Sequence, residues 1–139
     1  MKFRANVRFD PSAYFPHRLG ESQSPLALIA RYECRQCHEI EGQGGTAGPP
    51  LDETLVPRVG ARLNEQAYEQ AVAEVDEFEG EPYLQYRDAR RAIIAAIGEN
   101  RTRLWLTSYL REPRFDKPEV EMPNLEVTEA HAKIIAAYL

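Results

Sequence analysis

The chain has 139 residues, enough for one domain with a modest core and too few for two. A hydrophobic share of 43% and a charged share of 28% are those of an ordinary globular chain, and no run approaches the length of a membrane span. The net charge of −5 argues against a nucleic-acid partner, which needs a basic face.

Residues 1–23 show no sustained periodicity and read as an extended arm or a linker. Met1-Lys2-Phe3-Arg4-Ala5-Asn6-Val7-Arg8 lacks the apolar core of a signal peptide. Ser24-Pro25 then signals a helix start, serine as N-cap and proline at the first helical position. Leu26, Ile29, Ala30 and Cys37 recur at helical spacing, so this helix is expected to run into Cys34-Arg35-Gln36-Cys37-His38.

Two cysteines three apart with a histidine directly after the second form the attachment pattern of a c-type haem. The spacing has a chemical reason. Two thiols must reach two vinyl groups on one porphyrin edge while the same turn delivers an imidazole to the iron. On this reading Cys34 and Cys37 form thioethers and His38 is the proximal ligand of one covalent haem c. Three readings compete. A zinc site needs four ligands, and only His17, His38 and His131 could complete the cysteine pair. A dithiol redox motif normally follows a strand, whereas the residues before Cys34 pattern as a helix. The third is coincidence. Attachment of haem through thioethers is extracytoplasmic in bacteria, so a periplasmic or outer-face location is expected, with the export signal or anchor outside this chain.

Residues 41–48 carry Gly42, Gly44, Gly45 and Gly48 and read as a loop, closed by the stiff run Gly48-Pro49-Pro50-Leu51. No Lys-Ser or Lys-Thr follows those glycines, which discounts phosphate binding. From Asn64 a helix is expected with Tyr68, Ala71, Val72, Val75 and Phe78 as its apolar stripe, ending at Glu79-Gly80-Glu81-Pro82. A second follows with Tyr86, Ala89, Ile93, Ile94 and Ile97 inward and Gly98 just past its end. Leu104, Trp105, Tyr109 and Leu110 mark a third, stopped at Pro113. After a proline-bearing loop, Thr128 caps a last helix carrying Ile134, Ile135, Tyr138 and Leu139. No segment alternates with period two, so the chain reads as all-α.

A haem iron with one histidine has a sixth position, and its occupant sets the function. Apart from Met1 the one methionine is Met122, in a proline-flanked loop that suits a core methionine poorly. A thioether ligand favours Fe(II) and suits an electron carrier. The Asn124 amide is placed to donate to that sulfur. His17 and His131 are rival ligands.

The order Cys-x-x-Cys-His, then Gly48-Pro49-Pro50-Leu51, then Met122-Pro123-Asn124 before a helix ending Ala136-Ala137-Tyr138-Leu139 resembles class I c-type cytochromes. Val59-Gly60-Ala61-Arg62-Leu63 and Trp105-Leu106 match further parts of that pattern, and the likeness covers about two thirds of the chain. The resemblance implies an all-α cytochrome c-like fold over residues 24–139, with metal ligands His38 and Met122. It implies that the Pro49 carbonyl orients His38, that Leu51 lies on the porphyrin, and that Trp105 or Arg62 bonds a propionate. It also places the first and last helices against each other, with Tyr138 near the haem edge. Residues 66–101 exceed the family's minimum and read as an inserted helical hairpin, and residues 1–23 are extra as well.

The expected function is outer-sphere electron transfer with no catalytic acid, base or nucleophile. The expected partners are redox proteins, docked through the acidic charge onto a basic patch or held in a membrane-bound complex. Two alternatives stand beside it: the cytochrome domain of a membrane-anchored respiratory or photosynthetic oxidoreductase, and a haem sensor binding a small gas at an open sixth site.

Overall fold

The structure, a computed structural model, describes residues 24–139; the expected N-terminal arm and His17 lie outside them. In chain order come α1 (Pro25–Arg31), a 3-10 turn (Cys34–Gln36), β1 (Glu39–Ile40), β2 (Gln43–Gly44), α2 (Leu55–Leu63), α3 (Gln66–Val75), α4 (Arg87–Ala95), α5 (Gly98–Arg111) and α6 (Glu129–Tyr138). The described chain is mostly helical, in keeping with the all-α reading. One exception is a two-residue antiparallel ladder, Glu39 opposite Gly44 and Ile40 opposite Gln43. Its turn residues Glu41 and Gly42 both have positive φ, 56° and 80°. That is the backbone that closes a two-residue hairpin.

Local chemistry accounts for the helix ends. The Ser24 hydroxyl accepts from Ala27 N at 3.2 Å, and Pro25 fills the first helical position. The Thr128 hydroxyl accepts from His131 N in the same way at the start of α6. Contrary to expectation, α1 stops before the cysteine motif. Tyr32 caps it and Glu33 turns left-handed at φ 58°, which redirects the chain into the 3-10 turn. Leu28 and Ile29 carry the buried face of α1, and Leu26 is exposed.

α5 is the central helix, packing against α2, α4 and α6, while α6 also packs against α1. The first and last helices therefore meet. Leu55, Val59 and Leu63 recur every four residues along α2, and all three are buried. This helix was not anticipated; Pro57 is tolerated because it falls in the first turn, where no N–H is needed. On α3 the buried residues are Tyr68, Val72 and Val75; Phe78 lies past the helix end and is exposed, meeting Tyr83 edge-on. Ile97 is 81% exposed, because Ala96 is already extended and Gly98 begins α5 instead of closing α4. The inner side of α5 is Trp105, Leu106 and Leu110, with Leu104 outside it.

The stretch read as a hairpin is two helices that pack chiefly elsewhere, α3 on α2 and α4 on α5. What ties them is Arg90, whose side chain is wholly buried. Its Nε donates to Asp76 Oδ1 at 2.8 Å, Nη1 to Phe115 O at 2.8 Å and Nη2 to Tyr83 O at 2.9 Å. A guanidinium fork reaches three acceptors at once, which an ammonium cannot do. Arg90→Ala is therefore expected to lower unfolding free energy by about 3–5 kcal/mol, read from urea denaturation midpoints. Arg90→Lys should recover little of it. A loss within about 0.5 kcal/mol for Arg90→Ala would show that water replaces these bonds without penalty.

Candidate functional site

The Cys34–Gln36 turn is braced by its own backbone: Cys34 O accepts from Cys37 N at 3.3 Å and from His38 N at 3.0 Å. The following loop then folds back on it. Gly45 N donates to Arg35 O at 2.9 Å, Gly48 N to Cys37 O at 2.7 Å and Leu51 N to Glu39 O at 2.9 Å. Such close return requires the absence of a side chain at Gly48, where a Cβ would fall on the His38 imidazole. The loop ends with Pro49 O 2.7 Å from His38 Nδ1. A carbonyl only accepts, so Nδ1 is the donor of this bond and carries a proton. His38 is thereby held in a fixed orientation.

Cys34, Cys37 and His38 line one cavity of about 490 Å³. That falls within the roughly 300–1,000 Å³ of cofactor sites. Apolar side chains converge on it from every quarter: Ile29 of α1, Leu51, Leu55 and Val59 around α2, Leu106 and Leu110 of α5, and Ile135 and Leu139 of α6. Met122, Pro123 and Leu125 enter from the loop between α5 and α6. Arg31, Arg58 and Arg62 supply its cations. Of these residues Arg58 was not picked out from sequence, although its spacing of four from Arg62 puts both on one flank of α2.

The sequence candidates fall into two groups. Cys34, Cys37, His38, Pro49, Leu51, Arg62, Trp105 and Met122 all line this cavity. Asn124 does not. Its Nδ2 donates to Glu112 Oε1 at 2.9 Å and its Oδ1 accepts from Glu126 N at 2.6 Å, so the amide turns to the loop and not to the Met122 sulfur. The Trp105 indole N–H is likewise committed, donating to Asp116 Oδ2 at 2.7 Å. Arg62 lies 4.8 Å from the centre of the Trp105 ring. Tyr138 is exposed and lies off the cavity; Ile135 and Leu139 represent α6 there. His131 bonds Tyr32 through Nδ1 at 2.7 Å, joining α6 to α1.

The chemistry of the donors discriminates among the readings. Both cysteines are free thiols. Burial pushes the Cys34 thiol up, outweighing its backbone bond and Arg35. An attacking redox thiol is instead activated by a lowered pKa. Among the described residues no group of three or more His, Cys, Asp or Glu side chains converges to hold a metal ion, and His17 lies outside them. The apolar cavity beside two thiols and an oriented imidazole does fit a haem.

Behind the cavity wall lies a polar cluster that sequence reasoning missed. Asp116, 5% exposed, receives both the Trp105 N–H and the Tyr68 hydroxyl, the latter at 2.9 Å. Burial pushes the Asp116 carboxyl above the ordinary range, against the pull of the Trp105 and Tyr68 bonds and of Arg62. Burial, then the Asp116 charge, pushes the Tyr68 hydroxyl well above its usual range. Nothing in the sequence flags the site, since Asp116 sits in a loop beside Lys117 and Pro118 as any solvated aspartate does.

No protein-family model, no curated protein and no solved structure matches the chain.

The raised Asp116 carboxyl fixes the sign of a pH effect. Below the usual carboxylate range the group is protonated both folded and unfolded, and its contribution is fully present. As pH rises from about 3.9 through the raised folded value, the unfolded chain releases the proton first and stability falls. Asp116→Asn, which keeps an acceptor for Trp105 and Tyr68, is expected to remove that fall in urea midpoints taken across pH 3–8. Identical pH profiles for the two proteins would mean that Asp116 is not the group responsible.

Proposed function

We propose that the chain binds one covalent haem c and serves as an electron carrier of the class I cytochrome type. The observation that carries the reading is His38, fixed through Nδ1 by Pro49, in the wall of an apolar cavity it shares with both cysteines and Met122. Cys34 and Cys37 would hold the group by thioethers, His38 by Nε2 and Met122 by its sulfur. When bound, the haem supplies one-electron exchange between Fe(II) and Fe(III).

The chain's own residues supply the rest. The Pro49 carbonyl accepts from Nδ1 and aims Nε2 toward the cavity. The Met122 thioether is a soft donor, which favours the reduced metal. The leucines and isoleucines of α1, α2, α5 and α6 keep water off and hold the local dielectric low. Arg58 and Arg62 provide cations where carboxylates need donors on leaving water. No group in this set has to act as acid, base or nucleophile.

Partners on this reading are redox proteins. No helix among the described residues is long and apolar enough to cross a membrane. Because thioether attachment is extracytoplasmic in bacteria, the proposed location is the periplasm or the outer face of the membrane.

The test is expression in a host able to attach haem c, followed by acid-acetone extraction and spectra of both oxidation states. Haem is expected to stay with the polypeptide, and the oxidised protein to show a weak near-infrared sulfur-to-iron band. Polypeptide without haem from such a host would end the reading. Met122→Ala should keep the haem but lose that band, lower the potential and admit carbon monoxide to the reduced form. An unchanged potential would remove Met122 from the iron. Cys34→Ala with Cys37→Ala is expected to give a largely unfolded chain, and a cooperative thermal transition in that variant would contradict this.

A further inference from the structure

A second cleft, of about 460 Å³, opens between α4, α5 and α6 and shares no lining residue with the first. Small side chains border it where the three helices meet: Ala89 and Ala92 from α4, Ser108 from α5 and Ala136 from α6. Its charge runs against that of the chain. Three cations, Arg103, Arg111 and Lys133, stand on its walls against one carboxylate, Glu129, in a protein of net charge −5.

The cations are unequally satisfied. Arg103 bonds the Ala136 carbonyl and pairs with Glu99 at 3.7 Å. Glu129 is divided between Lys133 at 3.4 Å and Arg111 at 3.9 Å, both loose pairs at partly exposed side chains. Such pairs hold little energy. The Arg111 Nε is buried with no hydrogen-bond partner among the described residues. Ser108, 8% exposed, lies three residues before Arg111 on the same face of α5 and adds a hydroxyl to this cleft.

We propose that this cleft binds a small organic carboxylate. The oxygens would be received by Arg111, Lys133 and the Ser108 hydroxyl, and the carbon body would lie on Ala89, Ala92 and Ala136. Two cations held only in loose pairs with Glu129 suit a single carboxylate. The apolar border favours an anion with a short hydrocarbon part. Glu129 competes for the same two cations, so it weakens the site while steadying it when no anion is present.

The test is a titration of the full chain with butyrate, followed through the backbone amide resonances of Ser108 and Arg111, with inorganic phosphate as the second probe. Butyrate is expected to shift both resonances saturably. Arg111→Gln should weaken that binding about tenfold or more, since a charge-assisted hydrogen bond is lost. Lys133→Gln, at a well-exposed position that leaves packing intact, should weaken it too; Glu129→Gln should tighten it. Arg91→Gln, outside the cleft, should change nothing. Absence of a saturable shift, equal loss in Arg91→Gln and Arg111→Gln, or equal binding of phosphate would overturn the proposal. The two cavities share no residue, so none of these outcomes turns on whether haem is bound.

Discussion

The hydrogen bond from His38 Nδ1 to Pro49 O is the constraint on which the site depends. It fixes the orientation of the ring, and it does so through backbone instead of a mobile side chain. To bring that carbonyl back to a ring eleven residues earlier, the chain must close a tight hairpin at Glu41-Gly42 and pass Gly44 and Gly48 against the turn it has just left. At Gly44 the φ of 130° and the nearness of the His38 carbonyl both exclude a side chain. The three backbone bonds from Gly45, Gly48 and Leu51 then fasten the loop to Arg35, Cys37 and Glu39. The imidazole is pre-organised, so little ordering remains when a ligand engages it.

The second organising region is the segment just after α5. Phe115 is fully buried and its carbonyl receives Arg90, while Asp116 receives Tyr68 and Trp105. Helices α3 and α4 thus reach the cavity wall through two adjacent residues. Trp105 faces both ways: its ring borders the cavity and its N–H points at Asp116. Glu112 steadies the same segment, accepting from Arg114 N and from Asn124. The loop that carries Met122 is therefore anchored at its start by buried polar bonds and at its end by Asn124, not by apolar packing alone.

Much of this was legible in the sequence, for reasons specific to each part. The Cys34–His38 motif, the Gly48-Pro49 return and the Ser24 and Thr128 caps are local, and local chemistry fixes them. Helix α2 was overlooked because Pro57 and Gly60 break its composition, although Leu55, Val59 and Leu63 keep the period. Ile97 and Phe78 were assigned inward by extending a stripe past the residue where the backbone leaves the helix. Arg90 and Asp116 could not be read at all. Their burial depends on partners that lie 25 and 48 residues away, Phe115 O and the Tyr68 hydroxyl, and no short window contains that. Asn124 was misassigned for the same reason, since its partner Glu112 is brought near only by the loop.

Charge shows how far a whole-chain number can mislead about a surface. The net −5 suggests an acidic protein that seeks basic partners. Yet exposed carboxylates concentrate on and after α3, at Glu65, Glu69, Glu74, Glu77, Glu79 and Glu81, away from both cavities. The cavity around His38 has Arg31, Arg58 and Arg62 against Glu33, and the cleft beside α5 has three cations against Glu129. Association is steered by the field at the docking face, which decays within about 8–10 Å at physiological salt. The walls of the His38 cavity are therefore locally positive. The sign of a cavity wall is thus set by the few side chains within that range, the arginines of α2 beside His38, and not by the net charge of the chain.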